Sequence, residues 1–225
     1  MTQKKNTTGG THIVVLLDKS GSMATIVDDV IGGFNTFLAE QQENGNDARM
    51  SMVLFDSQDP QDTVVWGAPV TETVPLDRNT FVPRGGTPLL DATGLTIGRT
   101  MVDQQARVAA GLPKDDIIFV TITDGGENES REFTLERIRT LVNERTAEGW
   151  QFVYLSAGLD AYQDAGRMGY SAGSTQSWRS DGANSKLMFD SLSRNTRNLR
   201  DKKRRGERTN TAEFFEDGKD AEDGM

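Results

Sequence analysis

Asp18, Ser20 and Ser22 stand at alternate positions directly after the apolar run Ile13-Val14-Val15-Leu16-Leu17, with Gly21 between the two serines. One carboxylate and two hydroxyls at a strand end, drawn together by a tight glycine turn, are the oxygen donors a hard divalent cation takes. Two distant segments carry matching groups. Gly85-Gly86-Thr87-Pro88 sets a hydroxyl at the start of a helix, and Thr123-Asp124-Gly125-Gly126 sets a carboxylate at the end of a second apolar strand. Each group has a plainer use when taken alone. Ser22 and Thr87 suit helix N-caps, the latter with Pro at the first helical position, and Asp18 and Asp124 suit turn caps. The four glycines permit tight turns and leave room for an approaching ligand. His12, the sole histidine, reads as a surface residue at a strand start, and Met23 as a packing residue.

Positioning these groups requires a sheet. Strand-like and helix-like segments alternate along the chain, the pattern of an α/β fold with a largely parallel sheet covered by helices on both faces. The first strand spans 11–18, and Ile26, Val30, Phe34, Phe37 and Leu38 follow at helical spacing. Segments 49–55 and 63–70 are separated by a turn-rich link too short for a crossover helix, which predicts an antiparallel pair with the second as an edge strand. A helix over about 88–110 leads to a fully apolar, central strand at 117–122. Further elements are expected as a helix ending at Gly149, a strand at 150–156, a short helix at 160–168, a weak strand within 172–178 and a last helix over 183–199. In a doubly wound sheet, ligands bind at strand carboxyl ends where the strand order reverses; if the strands ending at Asp18 and Asp124 are neighbours, both carboxylates face one crevice.

Composition bounds the rest. With 225 residues, 35% of them hydrophobic, the chain supports one sizeable core and a tail. The expected division is a flexible N-terminus over 1–10, a domain over 11–200 and a charged, disordered tail over 201–225. No Cys and no apolar signal-like stretch at the start point to a cytoplasmic setting, and no run approaches the roughly 20 residues of a membrane helix. A net charge of −9 disfavours a general nucleic-acid binder. The exception is Lys202-Lys203-Arg204-Arg205, which reads as part of a solvated tail or as a contact for nucleic acid or an acidic partner. Phe214-Phe215 is the tail's one apolar pair, free to dock on a partner or back on the domain. Glu127-Asn128-Glu129 reads as a solvated acidic loop or as a rim that lowers affinity for acidic ligands.

Taken together, Asp18, Ser20, Ser22, Thr87 and Asp124 resemble the metal-ion-dependent adhesion site of von Willebrand factor A domains: an Asp-x-Ser-x-Ser element, a separate Thr within Gly-Gly-Thr-Pro, and a Thr-Asp-Gly element, in that order. The resemblance covers about residues 11–200. Segments 123–132 and 156–161 are similar to stand-alone cytoplasmic members of bacteria and their phages. The resemblance implies a six-stranded sheet ordered 3-2-1-4-5-6 with strand 3 antiparallel. It further implies Ser20, Ser22 and Thr87 as direct metal ligands, with Asp18 and Asp124 acting through metal-bound water. Mg²⁺ suits such a set because it takes octahedral oxygen coordination at about 2.0–2.1 Å and keeps several waters, with Mn²⁺ and Ca²⁺ as alternatives. A partner's Asp or Glu then completes the coordination, so the implied activity is metal-bridged protein binding, with an AAA-type ATPase among the partners the resemblance suggests.

A different chemistry also fits the first motif. Asp18 could act as nucleophile in a metal-assisted hydrolase or phosphotransferase. Against it, Ser20 stands where aspartyl-phosphate families of this sheet type carry a second Asp, and no His lies nearby for base work. No Gly-x-Gly-x-x-Gly or phosphate-loop Gly-Lys-Ser/Thr follows the first strand. The expectation is a non-enzymatic binding module.

Overall fold

The computed structural model describes residues 9–216, 218, 219 and 222. Eleven regular elements follow one another as β1 (Thr11–Asp18), α1 (Val27–Glu43), β2 (Ala48–Phe55), β3 (Asp62–Pro69), α2 (Leu89–Ala109), β4 (Asp116–Thr123), α3 (Leu135–Ala147), β5 (Gln151–Ser156), α4 (Ala161–Met168), β6 (Thr175–Ser177) and α5 (Gly182–Arg204). A 3₁₀ turn, Gly21–Ile26, joins β1 to α1. The sheet is ordered β3-β2-β1-β4-β5-β6, with β3 alone antiparallel to its neighbour. This is the order and the strand sense expected from the sequence. The short link of residues 56–61 leaves β3 no option but to fold back on β2.

Period-two geometry explains how one strand serves two cores. In β1, Ile13, Val15 and Leu17 enter the layer shared with α1 and α5, while Val14 and Leu16 enter the layer shared with α2, α3 and α4. All eight β1 residues are buried, as a strand covered on both faces must be. On the first layer, α1 turns Val30, Phe34, Phe37, Leu38 and Gln41 inward. It packs so closely on α5 that a Cβ at Gly33 would lie 2.1 Å from the Phe189 ring. Helix α3 is capped by Thr134, whose hydroxyl accepts the Arg137 N–H at 3.2 Å, and α5 by Asp181, whose carboxylate accepts the Asn184 N–H at 2.9 Å.

The C-terminal region departs from the expectation. Helix α5 continues past Leu199 to Arg204, and the segment after it returns to the domain instead of trailing away. Phe214 and Phe215 are buried in the α1/α5 core, edge to face at 4.9 Å. The backbone there is tied down as well: Phe215 N–H donates to Gly173 O at 3.1 Å, Ser171 Oγ to Ala212 O at 2.8 Å and Gln151 Nε2 to Thr211 O at 3.1 Å. Burying two aromatic rings offsets the entropy of ordering the strap. The basic run is consumed by the same packing. Lys202 pairs with Glu216, Lys203 with Asp116 at 3.0 Å, Arg204 with Asp47 at 2.7 Å, and Arg205 with Glu207. Tail residues 217, 220, 221 and 223–225 lie outside the described residues, as do residues 1–8 of the stretch expected to be flexible. Gly10 is already structured, its carbonyl accepting the Asp116 N–H at 3.0 Å.

His12 is a second correction. It is fully buried, because β1 is central along its whole length. Arg49 Nη2 sits 3.2 Å from His12 Nδ1, and since a guanidinium only donates, Nδ1 accepts and Nε2 carries the proton given to Ser51 Oγ at 2.8 Å. Burial first, then the Arg49 charge, lowers the imidazole pKa to about 3.

Candidate metal centre

Parallel pairing of β1 with β4 aligns Leu17 with Ile122, which brings Asp18 and Asp124 to adjacent strand ends at one edge of the sheet. Asp18 is fully buried. Its Oδ1 accepts the Ser20 N–H at 2.7 Å, and its Oδ2 accepts the Thr123 hydroxyl at 2.6 Å. From there a chain of oxygens leads outward. Ser20 Oγ lies 3.1 Å from Ser22 Oγ, and Ser22 Oγ donates to Asp124 Oδ1 at 2.7 Å.

Thr87 arrives by a different route. Gly21 N–H donates to Gly85 O at 3.0 Å and Arg84 N–H to Lys19 O at 2.8 Å, lacing the loop before α2 to the loop after β1. Gly85 has φ +66°, and a Cβ there would also lie 2.5 Å from Ser57 Oγ, so glycine is required twice over. Buried Thr87 then meets the loop after β4: its N–H donates to Asn128 Oδ1 at 2.8 Å, and Asn128 N–H donates to Thr87 O at 3.2 Å. Four of the expected residues are thus joined, Ser20, Ser22 and Asp124 through side-chain oxygens and Asp18 through the Ser20 N–H. The fifth is joined through backbone and Asn128.

Burial raises the Asp18 pKa to about 6, against the stabilising donors from Thr123 and Ser20, and burial likewise raises that of Asp124 against the Ser22 hydroxyl. Neither carboxylate has an ion-pair partner among the described residues. The one cation in the motif, Lys19, turns away to Asp56 at 3.3 Å and to Asp62. Two part-desolvated carboxylates with no cation, beside two hydroxyls, fit a hard divalent ion. Among the described residues no group of three or more His, Cys, Asp or Glu is placed to hold a metal ion, so hydroxyl oxygens must complete any such donor set.

Several residues of the site give no signal in the sequence. Thr123 holds Asp18, and Asn128 holds Thr87. Glu127, read as part of a solvated loop, is exposed, yet its carboxylate also orders that loop: it accepts the N–H groups of Glu129 at 2.9 Å, Ser130 at 2.6 Å and Leu90 at 2.8 Å, and the Ser130 hydroxyl at 2.6 Å. Asp91 accepts three successive N–H groups, of Arg131, Glu132 and Phe133, at 2.7–2.9 Å. The Thr-Asp pair at the end of a strand was the one available hint. Glu127 reaches Leu90 across 37 residues and Asp91 reaches Arg131 across 40, which no local pattern encodes.

No protein-family model and no curated protein matches this sequence. Solved structures do resemble its fold. The pilus adhesin SpaC from Lactobacillus rhamnosus GG aligns with TM-score 0.61 at 13% identity, over 85% of this chain and 31% of that one. Manganese-loaded TRAP protein of Plasmodium vivax aligns with TM-score 0.54 at 16% identity, over 77% of this chain and 70% of that one. Proximal thread matrix protein 1 from the mussel byssus, solved with a zinc-occupied MIDAS motif, aligns with TM-score 0.53 at 14% identity, over 81% of this chain and 47% of that one. The chain spans less than half the length of the mussel and Lactobacillus proteins. With the strand order and the one antiparallel edge, these alignments establish that the chain has the von Willebrand factor A fold.

Proposed function

We propose that this protein is a metal-dependent protein-binding module in which Asp18, Ser20, Ser22, Thr87 and Asp124 hold Mg²⁺ and a partner's Asp or Glu completes the coordination. The observation that carries the reading is the unbroken chain from Ser20 Oγ through Ser22 Oγ to Asp124 Oδ1, set beside a buried Asp18 that has no cationic partner. Metals in two fold neighbours, manganese in TRAP and zinc in the mussel protein, support a divalent ion here. When bound, the ion supplies a positive charge that mostly neutral donors leave undercompensated, and hence an attraction for an anionic side chain. The chain's own part is to hold the donors. Ser20 and Ser22 present hydroxyl oxygens, Asp124 accepts a hydrogen bond from Ser22, and Asp18 is fixed by Ser20 N–H and Thr123 O–H. An AAA-type ATPase presenting an acidic loop is one class of partner for such a face.

Two other readings have less behind them. Ser20 stands where an aspartyl-phosphate enzyme of this sheet type carries a second carboxylate, and His12, the sole histidine, is buried near the opposite end of β1 from Asp18. The basic run that could contact nucleic acid is paired with Glu216, Asp116, Asp47 and Glu207, which offset its charge. A Mn²⁺ titration read by electron paramagnetic resonance tests the metal reading. Wild type should take up one ion, competed by Mg²⁺, and Ser22→Ala and Asp124→Ala should each weaken uptake by about tenfold or more. Equal uptake by all three proteins would sink the proposal.

A further inference from the structure

Asp124 is followed by Gly125 and Gly126, and nothing inside the fold asks for glycine at either. Neither has a positive φ. A Cβ at Gly125 would have no neighbour within 4 Å, and one at Gly126 would meet only Asp164 Oδ2, at 3.8 Å, an ordinary contact. Gly86, across the site, is different: a Cβ there would lie 2.5 Å from Glu129 Cγ. The side chains missing at 125 and 126 therefore serve the outside of the molecule. They leave an open track beside Asp124, and Gly126 borders a cleft of about 320 Å³, a volume within the range of small binding pockets.

Leu89, Leu90, Leu135 and Met168 form the apolar lining of this cleft, and Asp164 and Arg167 its charged part. It continues the metal centre on two sides, since Gly126 lies two residues beyond Asp124 and Leu89 two beyond Thr87. Glu127 also borders it, but its carboxylate is occupied by backbone N–H groups and Ser130. Arg167, 3.9 Å from Asp164 and with 57% of its side chain exposed, is left as a cation beside the track. Leu135 is 39% exposed, and on the other flank of the glycines Leu159 is fully exposed, next to Gly158, where a Cβ would lie 3.9 Å from the Gly125 backbone. Apolar side chains bordering an open track beside a site mark an interaction surface.

We infer that this cleft receives one bulky aliphatic or aromatic side chain from the same partner segment whose carboxylate reaches the metal centre. The inference rests on the metal-bridge reading and narrows it: the partner segment is acidic and apolar together. Arg167 favours the acidic character, and the leucines with Met168 favour the apolar neighbour.

The test uses an array of capped heptapeptides with one central Asp in an Ala background and with Leu or Phe scanned through the other positions, probed in Mg²⁺ and in EDTA. Wild type should bind peptides with Leu or Phe at one or two positions about tenfold better than the all-Ala peptide, and only with Mg²⁺. Gly126→Leu, which fills the track, should erase that preference while keeping the Mg²⁺-dependent binding of the all-Ala peptide. Leu135→Ser, on the exposed wall, should act likewise. Absence of any apolar preference, or a preference that survives both substitutions, overturns the pocket and leaves the metal reading standing. Absence of Mg²⁺-dependent binding to every Asp peptide overturns both.

Discussion

Thr123 and Asn128 act on the site through one neighbour each. Thr123 gives its hydroxyl proton to Asp18, and Asn128 accepts the N–H of Thr87 while returning its own N–H to the same residue's carbonyl. Neither is one of the five expected metal-site residues, yet each sets where one of them stands, as outer partners of metal ligands do. Asn128 offers a clean experiment because it lies in a loop, away from both cores. Asn128→Ala should lower Mn²⁺ affinity by about tenfold with little change in thermal midpoint. Unchanged affinity would show that Thr87 is held by its own loop alone. The motif residues were legible because each closes a strand or opens a helix, where hydroxyls and carboxylates have few roles. Asn128 was not, since its work is a contact between two segments far apart in sequence.

Among the elements, the C-terminal strap has the largest effect on the core. Phe214 and Phe215 sit with Trp178, Met188 and Leu192 in the layer beneath α1 and α5. Composition hid this, because two aromatics are diluted by charged neighbours and their partners come from β5, β6 and α5. The strands were legible for the opposite reason: β1 and β4 carry dense apolar runs, Ile13 to Leu17 and Ile117 to Val120. Phe215→Ala should destabilise the fold by about 3 kcal/mol, the usual cost of removing a buried ring, read as a drop in the urea midpoint at constant slope. A loss below about 0.5 kcal/mol would mean that the strap lies loosely on the surface.

At the scale of the whole molecule, acid weakens the fold through His12. Its imidazole is enclosed by Ser51, Arg49, Trp66 and Asp103, with Asp115 and Arg107 bound to the same Arg49 cluster. With a pKa of about 3 in the fold against 6.5 for an unperturbed imidazole, the unfolded chain takes the proton first as pH falls. Stability from the neutral, buried imidazole is complete above pH 6.5 and is lost as pH falls toward 3. Asp47 adds a lower window: the hydrogen bond from Arg204 leads in holding it near 2, so its contribution is present above about 4 and fades toward 2. A net charge of −9 complicates the total curve, so the informative quantity is the difference between wild type and His12→Gln. Wild type should lose stability relative to that variant below pH 6, at a slope approaching about 1.4 kcal/mol per pH unit. Parallel curves would show that His12 titrates normally. No helix among the described residues is long and apolar enough to cross a membrane.

Strand β1 runs from Gly10 at one end of the sheet to Asp18 at the other, bonded to β2 from Thr11 through Asp18 and to β4 from Thr11 through Leu17. Tension between those two ends would pull along the strand, and both parallel ladders would resist by sliding, every rung sharing the load at once. An edge strand pulled crosswise gives way rung by rung. The segment that ends in the metal motif is therefore held from both sides along nearly its whole length, and a load hung on Asp18, Ser20 and Ser22 would be carried by the backbone of this central strand.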